Sequence, residues 1–107
     1  MTAAAKNEVL DVTVSLGEFD PSVDGAYRNV KTFPLAVSPG ELFVSVTSDR
    51  PVDIAITSAD GICLKFKDSI LCDTLGPIEV SKKGTMALIA GVFRGDRAEL
   101  RVRAWMG

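Results

Sequence analysis

Apolar and polar residues alternate along most of this chain, and the clearest case runs from Val52 to Phe66. Val52, Ile54 and Ile56 lead into Asp60-Gly61, and Ile62, Leu64 and Phe66 follow it. Period-two runs on either side of an Asp-Gly pair predict a β-hairpin, because such a pair supplies the turn conformation and alternation supplies one buried face.

The same pattern recurs on both sides of that hairpin. Leu10, Val12, Val14 and Leu16 alternate with Asp11, Thr13 and Ser15, a half-buried strand closed by Gly17. Residues 18–25 have loop chemistry. From Arg28 to Val37 strand character returns with Phe33, Leu35 and Val37 on one face, and Pro34, which cannot donate to a ladder, makes this an edge strand or a bulged one. Ser38-Pro39-Gly40-Glu41 predicts a type II turn before Leu42, Val44 and Val46, and Asp49-Arg50-Pro51 predicts the next turn. After Phe66, turns are expected at Lys67-Asp68, Gly76-Pro77 and Lys83-Gly84. Met86, Leu88, Ala90 and Val92 then share one face, with Ile89 and Phe93 on the other, as in a strand covered on both sides. Arg94-Gly95-Asp96-Arg97 turns the chain into a last strand through Leu100, Val102 and Ala104.

No segment sustains a helical period, so the expectation is an all-β fold: an antiparallel two-sheet sandwich or jelly roll of eight to nine short strands. At 107 residues the chain makes one domain, 1–107, with residues 1–8 as an N-terminal arm. A composition of 47% hydrophobic and 24% charged residues with net charge −2 fits an ordinary globular protein, and it argues against a nucleic-acid partner. The longest apolar run, Met86 to Phe93, is too short for a membrane-spanning helix, so no membrane partner is expected. Met1 to Glu8 lacks a basic n-region and a continuous apolar stretch, which predicts synthesis without a signal peptide and a cytoplasmic or virion location.

Candidate chemistry is sparse. The chain has no histidine, so Ser-His-Asp and Cys-His catalysis lack their base. No nucleophile elbow, phosphate-binding glycine loop or dinucleotide fingerprint occurs, and the 14 carboxylates sit mostly in turns or on exposed strand positions. No catalytic, cofactor or metal residue is expected. Cys63 and Cys72 lie symmetrically about Lys67-Asp68; a two-residue turn there would make them a non-hydrogen-bonded cross-strand pair, either bonded as a disulfide or buried as two reduced thiols. Asp20-Pro21-Ser22-Val23-Asp24-Gly25 offers oxygen ligands but lacks the density of a calcium loop, and Arg94-Gly95-Asp96 places an integrin-type tripeptide at a hairpin tip, where Gly-Asp is also ordinary turn chemistry.

Charge is unevenly placed. Lys6 against Glu8, Asp11, Glu18, Asp20 and Asp24 gives the first 27 residues a net of −4, whereas Arg94, Arg97, Arg101 and Arg103 against Asp96 and Glu99 give the last 14 a net of +2. Arg101, Arg103 and Trp105 alternate with the core-facing Leu100, Val102 and Ala104, so they share the outer face of the last strand. A tryptophan flanked by arginines has the composition of a protein-binding hot spot; the alternative is that Trp105 packs under its own N-terminal segment. The candidate partner-binding residues are Trp105, Arg101, Arg103, Arg94 and Arg97.

Asp53-Ile54-Ala55-Ile56-Thr57-Ser58-Ala59-Asp60-Gly61, with the later Lys83-Gly84-Thr85-Met86-Ala87-Leu88, resembles bacterial pre-peptidase C-terminal domains and related Golgi-dynamics-type (GOLD-like) β-sandwiches. In those families an Asp-led strand runs into an Asp-Gly turn and a Gly-Thr opens the penultimate strand; Met86 stands where an aromatic usually follows. The resemblance implies a noncatalytic accessory or binding domain and carries over no site residue. A small all-β chain with opposite charge at its two ends also suits a subunit of a larger assembly, by analogy with viral capsid decoration proteins. The functional expectation is therefore a noncatalytic structural or interaction protein that binds a protein partner or a second copy of itself, with a carbohydrate- or surface-binding accessory domain as the alternative.

Overall fold

The computed structural model describes residues 7–19, 27–93 and 96–107. Eight strands are found among them: β1 (Asn7–Leu16), β2 (Glu18–Phe19), β3 (Tyr27–Arg28), β4 (Val30–Val37), β5 (Gly40–Thr57), β6 (Cys63–Val80), β7 (Gly84–Gly91) and β8 (Ala98–Met106). β2 and β3 form a two-stranded ribbon, and the other six form one antiparallel sheet in the order β1-β8-β5-β7-β4, with β6 pairing β5.

The long hairpin β5–β6 organises everything else. Its turn is the one the Asp-Gly signal predicts: the Gly61 amide donates to the Ser58 carbonyl at 2.9 Å, the Ser58 amide donates to the Ile62 carbonyl at 2.8 Å, and Gly61 takes φ +83°. That left-handed position is what glycine adopts without steric cost, and it makes the connection a type I turn closed by a bulge. One edge of β5 pairs β6 along its length; the other pairs β8 over Leu42–Ser48 and β7 over Asp53–Thr57. β5 therefore passes from one half of the sheet to the other, and the sheet curls until β1 meets β4, giving a nearly closed barrel.

The all-β, antiparallel expectation holds, but a sandwich of two sheets of short strands is not what forms: six strands, two of them 18 residues long, share one curled sheet, and the other two make only a two-residue ribbon. Asp49-Arg50-Pro51 is a corner inside β5 rather than a turn between strands: the register slips between Thr47 and Val52, and the Ser48 hydroxyl donates to the Arg50 carbonyl at 2.6 Å. Lys67-Asp68 and Gly76-Pro77 likewise lie inside β6. At the first, the chain bulges past Asp53, whose Oδ1 accepts the Ser69 amide at 3.1 Å; at the second, Gly76 and Pro77 together oppose the single residue Phe43. Turn-forming residues thus bend a strand around a corner when both flanks find ladder partners.

The core follows from alternation. Leu42, Val44, Val46, Ile54 and Ile56 of β5, Leu88 and Ala90 of β7, and Leu100, Val102 and Ala104 of β8 point inward and are buried. Phe33, Leu35 and Val37 share the inner face of β4, which pairs only β7, and its Pro34 sits on that edge as its missing amide requires. β1 and β6 also have a single ladder partner each in this sheet, β8 and β5, and Lys67 and Asp73 form an ion pair on β6. The residues expected to form an N-terminal arm begin to be described at Asn7, where β1 is already paired to Met106; residues 1–6 lie outside the described set.

Candidate functional site

On the outer face of β8, Arg101 and Arg103 stand beside Trp105 as alternation requires, and β1 crosses next to them. Arg101 donates from Nε and Nη2 to the two carboxylate oxygens of Asp11, at 3.0 and 2.9 Å. Arg103 Nη2 donates to Glu8 Oε2 at 3.1 Å, with its Nε 3.9 Å from Asp11. Hydrogen bonds from Arg101, helped by the charges of Arg101 and Arg103, hold the Asp11 carboxyl below its ordinary value, while desolvation opposes them. Trp105 is half-buried and stacks on Phe43 of β5, ring centroids 5.8 Å apart and planes 16° from parallel. These arginines are engaged with β1, and Trp105 packs on Phe43 of the neighbouring β5 while its backbone lies opposite Glu8 of β1.

Because the folded carboxyl of Asp11 titrates below its unfolded value, its contribution to stability is present above the unfolded value and is lost as pH falls through the folded one. Arg101→Gln should raise the Asp11 titration toward the ordinary carboxylate range, with Arg103 still holding it partly down, and flatten the acid limb of stability below that range. NMR titration of Asp11 in both proteins, with urea melts across that range, checks the pair.

The expected cysteine pairing is overturned. Cys63 and Cys72 lie on the same strand nine residues apart, opposite Thr57 and Thr47 of β5, and both thiols are free and exposed. Since β6 runs through Lys67-Asp68 without turning back, the two never face each other, and a disulfide needs Cα atoms within about 7 Å. They are not buried either. Arg97 is exposed just before β8, which pairs β1 and β5 and not β7, so the tripeptide lies in a connection between two strands rather than at a hairpin tip. Arg94, the Arg94-Gly95 part of the tripeptide and the whole Asp20–Gly25 loop lie outside the described residues.

The more open surface lies on the other half of the sheet. Register sets Ile89 of β7, Ala55 of β5 and Phe66 of β6 in one outward row, with Val30 of β4 close by. Phe93, past the end of β7, is 78% exposed, Phe66 59% and Val30 55%. Together they line a shallow apolar hollow of about 230 Å³. A larger groove of about 590 Å³ adjoins it, lined by Asp49, Asp53, Asp96 and Glu99 together with Arg50 and Arg97; Asp53, Val92 and Phe93 border both. β7 is therefore not covered on both sides: its second apolar row is this hollow. Asp49 and Asp53 are fixed in place, Asp49 by accepting the Glu99 amide at 2.8 Å and Asp53 by the Ser69 amide. Among the described residues no group of histidine, cysteine, aspartate and glutamate is gathered as a metal site.

Alternation marked Ile89 and Phe93 as outward apolar positions, but only the pairing of β7 with β5 and of β5 with β6 brings Phe66 alongside them. An outward apolar residue on each of three successive runs is the signal that sequence alone could have offered.

No family model matches this chain, and no curated protein matches it. Among solved structures it is similar to PliG of Aeromonas hydrophila, described as a periplasmic lysozyme inhibitor of g-type lysozyme. The two share 8% identity with a TM-score of 0.62, over 100% of this chain and 92% of the other. At that identity the likeness is one of fold.

Proposed function

We propose that this chain is a noncatalytic protein-binding module that docks its partner on the hollow and groove around Phe93. The observation that carries this reading is the apolar row Val30, Ile89, Ala55 and Phe66 set beside a fixed acidic border, with a large aromatic exposed where the two meet. Exposed aromatic anchors next to a polar rim are the composition of binding hot spots. A fold neighbour described as an inhibitor of an enzyme supports the same class of role, acting on another protein rather than on a small molecule. Four carboxylates against Arg50 and Arg97 favour a basic patch on the partner. An accessory subunit of a larger assembly, such as a virion decoration protein, is one form of this role, as is association with a second copy.

Photo-crosslinking tests it. A benzophenone side chain at Phe93 or Ile89 should capture one protein of defined mass in cells making the chain, whereas the same group at Thr13 or Thr47 on the opposite half of the sheet should capture none. Capture only from the Thr13 and Thr47 positions, or from none of the four, would defeat the reading.

A further inference from the structure

We propose that the free edge of β6 over Cys63–Lys67 receives an extended segment of the partner whose side chains alternate apolar and acidic, adding a strand to the sheet. The inference rests on the protein-binding reading above and names how part of the partner is held.

Among the described residues, 63–67 pair β5 on one edge only and are exposed throughout. A bulge at Leu64 interrupts the ladder between Cys63 and Lys65, so it is along the regular stretch 65–67 that the amides and carbonyls of the other edge face solvent. An unpaired edge is a template for a strand from another chain. Its two faces differ in chemistry. Phe66 lies outward, beside Ala55 and Ile89, so a strand added here would extend the apolar row by one position. Lys65 and Lys67 oppose Ile56 and Ile54 and therefore lie on the other face. Lys67 is held by Asp73, whose carboxyl is lowered chiefly by that hydrogen bond, and the charge of Lys65 acts on the same carboxylate from beyond ion-pair distance.

The lysines decide which strand fits. Antiparallel pairing of this edge with a second copy, about a two-fold centred on residue 65, 66 or 67, sets Lys65 against Lys65, Lys65 against Lys67, or Lys67 against Lys67. Like charges directly opposite one another destabilise a sheet, so the edge is blunted against itself. An incoming strand with acids at those positions reverses the sign of each contact and places its apolar residues beside Phe66.

A blocked peptide of about six residues alternating valine and glutamate, the length of an ordinary strand, is titrated into the intact protein and amide shifts are mapped by NMR. Shifts should concentrate on residues 63–67, and a valine–lysine peptide should bind about fivefold to tenfold more weakly. Lys65→Glu with Lys67→Gln should reverse that preference, with the spectrum elsewhere confirming the fold. N-methylating the edge of the peptide that faces β6 should abolish binding. Equal binding of both peptides, shifts confined to the β1 or β4 edges, or unmoved 63–67 amides would overturn the proposal, while photo-capture at Phe93 would still stand on its own.

Discussion

Ile56→Ala is expected to cost about 2–5 kcal/mol, a large part of the roughly 5–15 kcal/mol that holds a domain of this size together. Ile56 is fully buried near the turn end of β5, flanked in the sheet by Leu88 of β7 and Lys65 of β6. Truncation removes buried methyl and methylene groups and leaves a void. The strands on both sides are fixed by their own hydrogen bonds, so the void closes only in part. The midpoint of thermal unfolding should fall by about 10 to 25 °C. Thr32→Ala, on the exposed face of the edge strand β4, should stay within about 0.5 kcal/mol. Comparable losses for the two would mean that β5 is not the central strand of the core.

Gly17→Ala is the second large effect, and its cause lies in the backbone. Gly17 ends β1 with φ +83°, where an L side chain costs roughly 1–2 kcal/mol. A Cβ there would also lie 1.9 Å from the carbonyl oxygen of Asp96, which no rotamer relieves because both partners are main chain. Relief requires moving β1 away from the segment that leads into β8, so a total loss of about 2–5 kcal/mol is expected. Gly84→Ala meets nothing within 4 Å at the start of β7 and should be nearly silent. Urea melts of the two variants beside the parent separate the effect of φ and clash from that of simply losing a glycine; equal stabilities would place Gly17 in a different backbone conformation.

Much of the framework is legible in the residues themselves. The alternation Leu10, Val12, Val14 and Leu100, Val102, Ala104 fixes which faces turn to the core, partly buried on β1 and fully on β8, because the side-chain period of a strand is two whatever its partner. Pro34 marks an edge because it lacks a donor, and Asp60-Gly61 marks a tight turn because of what glycine permits at φ +83°. Arg101, Arg103 and Trp105 share an outer face for the same reason as the core residues between them share the inner one. What engages those arginines is another matter: Asp11 lies 90 residues from Arg101, and only the β1–β8 register joins them.

Where a strand ends proved harder to read, since the same residues serve a turn or a bulge. Asp49-Arg50-Pro51, Lys67-Asp68 and Gly76-Pro77 all carry turn chemistry, yet each bends β5 or β6 because both flanks pair within one long hairpin. The mirror symmetry of Cys63 and Cys72 about Lys67-Asp68 therefore describes spacing along one strand and not a contact. By itself, then, the sequence determined an antiparallel all-β chain, the buried faces of β5, β7 and β8 and the tight hairpin, because these depend on local stereochemistry and a fixed period, whereas the alternating row Ile62, Leu64 and Phe66 of the same hairpin is exposed. Tertiary structure alone decided that six strands share one curled sheet, that Asp11 and Glu8 hold the arginines of β8, and that Val30, Phe66, Ile89 and Phe93 meet over an acidic groove. Those outcomes rest on ladder pairings between distant residues, and a pattern of period two says which way a side chain faces without saying which strand lies beside it.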